Sequence, residues 1–240
     1  MRQTTIKMNL ISQHKKTIYR AAALTAALLL CAIVRNNVNA QASSPQIMIT
    51  WSAQNYAPPT FAGKVLPTAH SPMRAAAEII ANGKLVNLRS YTIYWYLNDQ
   101  FIDGGRGMSR VSFFSGDAIG PSELRVQIED YPGGAIQKTV EVPVARPMVV
   151  IRTPFSEGLL TRTQFEAVGI PFFFNVNSIG ALIFNWNVNG RVPSTLDQAD
   201  RMTVKVNDDA PKGSALNVRL TVENPKESLE TASRVFTLTL

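Results

Sequence analysis

Side chains that could carry out chemistry are few in this 240-residue sequence. Beyond residue 40 it contains one histidine, His70, and no cysteine, because its single cysteine, Cys31, lies in an apolar N-terminal run. Disulfides, thiol catalysis and cysteine-based metal sites are therefore excluded from residues 41–240. His70 is followed by Ser71-Pro72, and a histidine in such a segment is expected to be a solvated loop residue.

Motifs of enzymes and of bound cofactors are also missing. Residues 41–240 lack Gly-x-Ser-x-Gly, Ser-x-x-Lys and His-Glu-x-x-His, which mark serine hydrolases and zinc proteases. The glycines of Gly104–Gly107 do not precede a helix, and they predict a hairpin turn instead of a phosphate loop. Glu129-Asp130 and Asn207-Asp208-Asp209 could offer oxygens to Ca²⁺, but that ion needs six or more, so solvated loop acids are predicted. We therefore predict a protein that is not an enzyme and needs no cofactor or metal.

Two groups of aromatic side chains are candidates for a partner surface. Tyr94 and Tyr96 alternate with Trp95, so they are predicted to face outward from a strand whose other face is buried. A strand cannot bury three consecutive rings on one face, and such a run is formed by Phe172, Phe173 and Phe174. An exposed aromatic cluster is typical of a partner surface. In the alternative interpretation, which is the favoured one, the extra rings pack against another domain or under a loop.

Two segments 91 residues apart share one pattern and must position these side chains. Thr92–Asp99 and Ile183–Gly190 each carry alternating apolar residues around a central tryptophan, Trp95 in the first and Trp186 in the second. Successive side chains of a strand point to opposite faces, so each segment predicts a strand with one buried face and an equivalent core tryptophan. The Asn-Asp and Asn-Gly pairs that end the two segments predict tight hairpin turns.

Other alternating segments keep nearly the same offset. Val111–Phe113 precedes Met202–Val204 by 91 residues, and Leu124–Ile128 precedes Leu216–Leu220 by 92. Short strands that recur in this way between turn signals predict a β-sandwich or a barrel. Arg74–Ile80 is rich in helix formers, but the repeat predicts a strand there, with a short helix as the alternative.

The positive charge is concentrated at the N-terminus. The net charge is +7, but residues 1–40 contribute six cations and no acid. The remainder, with 18 cations and 17 acids, lacks the basic surface expected for nucleic-acid binding. The apolar run over residues 21–34 is shorter than the roughly 20 residues of a spanning helix, and Val38-x-Ala40 offers a cleavage site. We predict a signal peptide over residues 1–40, with an uncleaved N-terminal membrane anchor as the alternative.

Two prolines mark the predicted boundary between two domains. Pro143 and Pro147 cannot belong to a central strand, and the five residues from Pro143 to Pro147 contain neither glycine nor serine, which predicts a stiff linker. The domains are then residues 45–145 and 146–240, each of about 100 residues, the usual size of an immunoglobulin-like sandwich. We expect an elongated two-domain rod with limited hinge motion.

The second domain resembles bacterial PKD-like and other immunoglobulin-like surface domains in three segments, which are Phe165-Glu166-Ala167, Phe184–Gly190 and Asn217–Asn224. The first domain resembles them more loosely through Tyr94–Asp99 and Leu124–Asp130. Ala167–Phe174 is also similar to a segment of tandem-sandwich exported proteins of ultra-small uncultured bacteria. The resemblance implies an all-β fold of two tandem immunoglobulin-like β-sandwiches after the N-terminal signal or anchor helix. Families of this kind mostly display, space or bind.

The favoured function is that of a non-catalytic exported protein, a structural, spacer or adhesion module whose partner is an envelope or surface protein. It is expected in the periplasm, on the cell surface or outside the cell. The alternative is a periplasmic assembly chaperone, a class that also has two such domains and carries paired basic residues in the cleft between them. Arg146 and Arg152 lie near the linker, but that family's signature is absent. An exported hydrolase is disfavoured by the missing histidine and cysteine chemistry.

Overall fold

The alternating segments form the strands of two successive antiparallel β-sandwiches. The structure is a computed structural model, and it describes residues 44–155, 158–159, 163–193, 198–207 and 209–239. By its internal contacts, Pro45–Leu240 forms one compact unit. The predicted signal or anchor segment, residues 1–40, lies outside the described residues.

The N-terminal sandwich consists of two sheets. One has the order β1-β2-β6, with β3 beside the end of β2, and the other has the order β5-β4-β7-β8. The strands are β1 (Gln46–Ala53), β2 (Pro72–Ala81), β3 (Lys84–Leu85), β4 (Thr92–Leu97), β5 (Gln100–Arg106), β6 (Arg110–Phe114), β7 (Gly120–Ile128) and β8 (Ile136–Val144).

The C-terminal sandwich repeats this path with fewer strands. Its sheets have the orders β12-β10-β9 and β11-β13-β14. In both sandwiches the chain moves to the second sheet for the tryptophan strand, returns for one strand and crosses again for the last two, which is an immunoglobulin-like connection. The strands are β9 (Met148–Arg152), β10 (Gln164–Phe172), β11 (Ile183–Val188), β12 (Arg201–Lys205), β13 (Ala215–Glu223) and β14 (Thr231–Thr239).

Each sandwich has its own hydrophobic cluster, and a tryptophan lies fully inside each one. The first cluster extends from Ile47 to Val142 and contains Trp95, and the second extends from Val149 to Leu238 and contains Trp186. Buried and exposed residues alternate along most strands, as in β13, because one face of each sheet packs on the core and the other meets solvent. The all-β, two-sandwich fold that the sequence predicts is confirmed.

Equivalent hydrogen bonds and turns show that the two sandwiches have the same local structure around their core tryptophans. The indole Nε1 of Trp95 donates to the Met108 carbonyl over 2.9 Å, and that of Trp186 donates to the Ala199 carbonyl over 3.0 Å. Donor and acceptor are 13 residues apart in both cases. Short 3-10 turns, Leu88–Ser90 and Ile179–Ala181, precede the two tryptophan strands. Both turns and both hydrogen bonds recur at the offset of 91 residues seen in the sequence.

The structure corrects one of the predicted offsets. Trp95 pairs with Val126 and Trp186 pairs with Leu220, so β7 and β13 correspond at an offset of 94 residues and not 92. The error has a simple cause, because a slip of two residues leaves every side chain of a strand on the same face. The longer connection before β13 absorbs the additional residues.

Two further predictions concern local structure. Arg74–Ile80 lies inside β2, which confirms the strand and excludes the helix. Asn98-Asp99 connects β4 to β5 with positive φ at both residues, 49° and 63°, as a tight hairpin requires. The glycines at 104 and 105 were expected in a turn, but they lie within β5, and the chain turns only after Arg106.

Candidate binding surfaces and the joint between the sandwiches

The outward face of β4 and β5 carries a cluster of aromatic rings. Tyr94 and Tyr96 are half-buried, as expected for rings opposite Trp95, and Phe101 is 60% exposed. The ring of Phe101 lies 6.2 Å from that of Tyr94 and 5.9 Å from that of Tyr96, edge to face in both cases. The two-residue turn Asn98-Asp99 pairs Phe101 directly with Tyr96, and the register shifts only beyond this pair, between Trp95 and Tyr96. The sequence prediction did not include Phe101, although the two-residue hairpin turn predicted at Asn98-Asp99 is the signal that places it opposite Tyr96.

A row of polar side chains borders these rings. The guanidinium of Arg125 lies 4.1 Å from the centre of the Tyr96 ring, and its Nη2 is 3.0 Å from the carboxylate of Asp99. Arg125 also donates to Gln127 over 3.0 Å, and Gln127 donates to Glu129. These contacts fix the polar groups beside the rings. We call Tyr94, Tyr96, Phe101 and Arg125 the aromatic surface.

The phenylalanine run does not form an external surface. Phe173 and Phe174 are 5% and 0% exposed, and Phe174 belongs to the hydrophobic core of the C-terminal sandwich. Only Phe172 remains half-exposed. The rings of Phe172 and Phe173 lie 5.6 and 5.7 Å from that of Phe61, edge to face. The run therefore packs against the N-terminal sandwich, and Phe173 and Phe174 are not available to an external partner.

Backbone hydrogen bonds join the two sandwiches at this point. The amide of Tyr56 donates to the Phe174 carbonyl, and the amide of Phe173 donates to the Tyr56 carbonyl, each over 2.7 Å. Phe173 has a φ of 65°, a conformation that is uncommon for a bulky residue and persists only where its surroundings enforce it. The side chain of Asn55 holds it there by donating to the Phe173 carbonyl over 2.8 Å.

A buried carboxylate completes the contact. Glu230 is 4% exposed and lies directly before β14. Its carboxylate accepts hydrogen bonds from the Thr68 hydroxyl of the N-terminal sandwich, from the Asn175 amide and from the Asn224 side chain. Within the described ranges it forms no ion pair, so hydrogen bonds alone compensate for its desolvation.

The hydroxyl of Thr68 connects this carboxylate to the interior of the N-terminal sandwich. Its single proton is donated to Glu230, so it must accept from the Asn55 side chain and from the Ser71 hydroxyl, each over 3.0 Å. The Ser115 hydroxyl donates to the Thr68 carbonyl. We call the contact formed by residues 55–68 with residues 172–175 and Glu230 the joint.

Two ionisable groups near these surfaces have shifted pKa values. Burial, and secondly the negative charge of Asp200, raises the pKa of the Tyr56 phenol above its ordinary value. Burial lowers the pKa of Lys64, whose Nζ lies 3.3 Å from the centre of the Trp51 ring. Burial is the larger cause of the Tyr56 shift, and the smaller one, Asp200, lies in the C-terminal sandwich.

The remaining candidate residues lie apart from these surfaces. His70 is exposed and contacts the Asp117 carboxylate over 2.7 Å, and Asp130 accepts from the Thr92 hydroxyl. Asp208 lies outside the described residues. Arg146 and Arg152 are exposed. Over the part of the chain that the structure describes, no three acidic, histidine or cysteine side chains come close enough together to hold a metal ion.

Within the same described ranges, no helix is both long enough and apolar enough to cross a membrane.

Comparison with known proteins gives distant likenesses only. No protein-family model matches the sequence, and no curated protein matches it. The three N-terminal domains of the bacteriophage RB49 highly immunogenic outer capsid protein are 12% identical with a TM-score of 0.41, over 82% of this chain and 59% of that one. The fibronectin(III)-like modules of Clostridium thermocellum CbhA are 13% identical with a TM-score of 0.28, over 80% of this chain and 94% of that one. A Bacteroides ovatus glucan-utilisation protein, SGBP-B, is 13% identical with a TM-score of 0.24, over 82% and 47%. Likeness of this degree identifies no shared function.

Proposed function

We propose that this chain is an exported, non-catalytic module of the cell surface, in which a stiff pair of sandwiches holds a binding surface in a fixed position. The joint is the observation that carries this proposal. A flexible linker would leave the two sandwiches in contact only through the chain. Here residues up to 162 positions apart share one buried hydrogen-bond network.

Opening of the joint would carry a large cost. Glu230 would lose the Thr68 hydroxyl, and Asn55 would lose the Phe173 carbonyl. A hydrogen bond to a charged group contributes about 1.5–3 kcal/mol. The Ala145 amide, in the linker, also donates to the Pro67 carbonyl over 2.8 Å. The linker is thereby fastened to the same loop that forms the joint.

The aromatic surface is the part of the molecule that we assign to partner binding. Tyrosine, phenylalanine and arginine are enriched at the centres of protein interfaces, and Phe101 presents its ring with little side-chain freedom to lose. The surface lies on the N-terminal sandwich, whereas the joint uses the loop 54–71, so binding and support occupy separate residues. An envelope or surface protein is the partner that fits an exported chain.

Small-angle scattering on residues 41–240 tests the stiff arrangement. We expect one maximum dimension, near two domain lengths, that does not change with temperature below unfolding. A compact globule or a broad ensemble of dimensions would contradict the spacer function. N-terminal sequencing of the exported protein tests the compartment, with a start at Gln41 or Ser43 expected and an intact Met1 form in the membrane indicating an anchor instead.

A further inference from the structure

A groove runs across the outward face of the β1-β2-β6 sheet, on the opposite side of the N-terminal sandwich from the aromatic surface. Two cavities form it, with volumes of about 460 and 580 Å³, and both are lined by Ala76 and Arg110. Ala76 lies on the central strand, with Thr50 on one side and Arg110 on the other. A methyl group at this position leaves the floor low, and the longer side chains around it form the walls.

The walls of the groove carry an excess of positive charge. Arg74 and Arg110 line the first cavity, and Arg89 and Arg110 line the second, together with one acid, Glu78. Arg74 is paired with Ser112 and Arg110 with Ala76, so the two arginines are diagonal neighbours, roughly 7–8 Å apart at their Cα atoms. Like charges at this separation repel each other unless an anion lies between them.

Neither Arg74 nor Arg110 is neutralised by an acid within the described residues, and Arg74 is held in place by a neutral amide. The Gln54 amide, oriented with its oxygen towards Arg74, accepts from Nε and Nη2 over 2.9 and 3.2 Å. Within the described part of the chain, the guanidinium of Arg110 forms no ion pair or hydrogen bond, and Glu78 forms no ion pair. A guanidinium that is fixed by a neutral amide keeps its full charge for a ligand. Its planar donors match a carboxylate in pairs.

We propose that this groove binds an acidic polysaccharide, with successive carboxylates on Arg74 and Arg110 and sugar hydroxyls on the hydroxyl side chains of the walls. Two joined cavities suit a linear chain better than a single small anion. Thr50, Ser52 and Ser112 line the first cavity, and hydroxyls of this kind both donate to and accept from sugar hydroxyls. The proposal is independent of the partner assigned to the aromatic surface, because the two sites share no residue.

A nucleic acid fits the groove less well. Single strands are bound mainly by stacking of bases on exposed aromatic rings beside a basic channel. Among the described residues that line the groove there is one aromatic ring, that of Trp51, and it is half-buried and covered by Lys64. Residues 41–240 also carry almost no net charge, so they lack the extended basic surface that contacts to many backbone phosphates require.

The test measures binding of oligogalacturonate to the full chain by titration calorimetry. Arg74→Gln/Arg110→Gln removes both charges, and Arg219→Gln/Arg234→Gln, at two exposed arginines of the C-terminal sandwich, removes the same charge elsewhere. Because residues 1–40 contain six cations that also attract polyanions, the comparison between the two variants is the readout. Thermal melting establishes that each variant is folded.

We expect the groove variant to bind at least about tenfold more weakly than the wild type, and the control variant to bind within about twofold of it. Methyl-esterified oligogalacturonate, which has lost its charge, should not bind, and the affinity for the acid form should fall as salt rises. Equal binding by the groove variant and the wild type would overturn the proposal. So would equal binding of the esterified sugar, or tighter binding of a single-stranded DNA of the same charge.

Discussion

Two core positions differ in side-chain size between the sandwiches, and the two differences compensate each other. Gly169 of the second sandwich corresponds to Ala77 of the first. The amide of each donates over 2.8 Å to the carbonyl directly before the neighbouring strand of its sheet, that of Asp200 before β12 and that of Ser109 before β6. A Cβ added to Gly169 would lie 2.4 Å from Cδ2 of Leu220. Leu220 corresponds to Val126, so the first sandwich has one more carbon on β2 and one fewer on β7. At this pair of positions the two sandwiches therefore have the same number of side-chain carbons, although the individual residues differ.

This compensation predicts a coupling between two substitutions. Gly169→Ala should lower the free energy of unfolding by about 1–3 kcal/mol through overpacking, and Leu220→Val should lower it by about 0.5–1.5 kcal/mol. The double variant has the same residues at these two positions as the first sandwich. Its free energy of unfolding should therefore exceed the value expected from adding the two single effects by about 1 kcal/mol or more. Denaturant unfolding of the four proteins measures the coupling. Additivity within about 0.5 kcal/mol would show that the positions do not share space.

A glycine supports the aromatic surface in a similar way. A Cβ at Gly104 would lie 2.3 Å from Cδ1 of Tyr94 and 2.9 Å from the carbonyl oxygen of Ile93. The backbone oxygen cannot move aside easily, so Gly104→Ala should cost about 1–3 kcal/mol of unfolding free energy. Gly116→Ala is the matched control, because its nearest neighbour would be 3.5 Å away, and it should change stability by less than about 0.5 kcal/mol. Equal melting temperatures for the two variants would refute the packing of Tyr94 over Gly104.

At the scale of the strands, the sequence was informative wherever local pattern decides structure. Alternation placed the Trp95 and Trp186 strands and their buried faces, and it overruled the helix formers of Arg74–Ile80, because burial of one sheet face outweighs helix propensity. The same alternation could not give the register of β13, since its period of two permits a slip of two residues. It also gave no sign of the bulge beside Phe101, because a bulge depends on how a strand meets its partner.

Contacts between distant segments were beyond local pattern. Glu230 is hydrogen-bonded to Thr68, 162 residues away in the sequence. The sequence around either residue does not indicate the position of the other. The three phenylalanines were recognised as too many for one face, but their neighbour, Phe61, lies in a loop without periodicity. The arginines of the groove were not recognised, because Arg74 and Arg110 meet only when β6 pairs with β2.

The joint should weaken at alkaline pH through Tyr56. Its pKa is raised in the folded protein, so the neutral phenol contributes stability that is fully present below the unfolded value near 10.0 and is lost as pH rises through the folded value. The free energy of unfolding of the wild type should therefore fall more steeply above about pH 10 than that of Tyr56→Phe, which has no phenol to ionise. The other five tyrosines are present in both proteins, so their contributions cancel in the difference between the two free energies of unfolding. Parallel curves over this range would exclude ionisation of Tyr56 as a cause.

At the scale of the whole molecule, the polar joint determines whether the two small sandwiches keep a fixed orientation relative to each other. Interfaces between domains of one chain are usually small and permit motion. This one combines backbone bonds to Tyr56, the enforced conformation of Phe173 and the buried carboxylate of Glu230. A surface carried by the N-terminal sandwich would then keep one orientation relative to the C-terminal sandwich.

The most direct test of this claim is a distance distribution measured between the sandwiches by pulsed electron spin resonance. After Cys31→Ser removes the only cysteine, spin labels are attached at Gln137→Cys on β8 and Arg219→Cys on β13, both exposed positions. We predict a single narrow distribution for this protein and a broader one after Asn55→Ala/Glu230→Ala, which removes the side-chain hydrogen bonds of the joint but leaves its backbone hydrogen bonds and the linker intact. A broad distribution before those two substitutions would contradict the stiff joint and, with it, the proposed function.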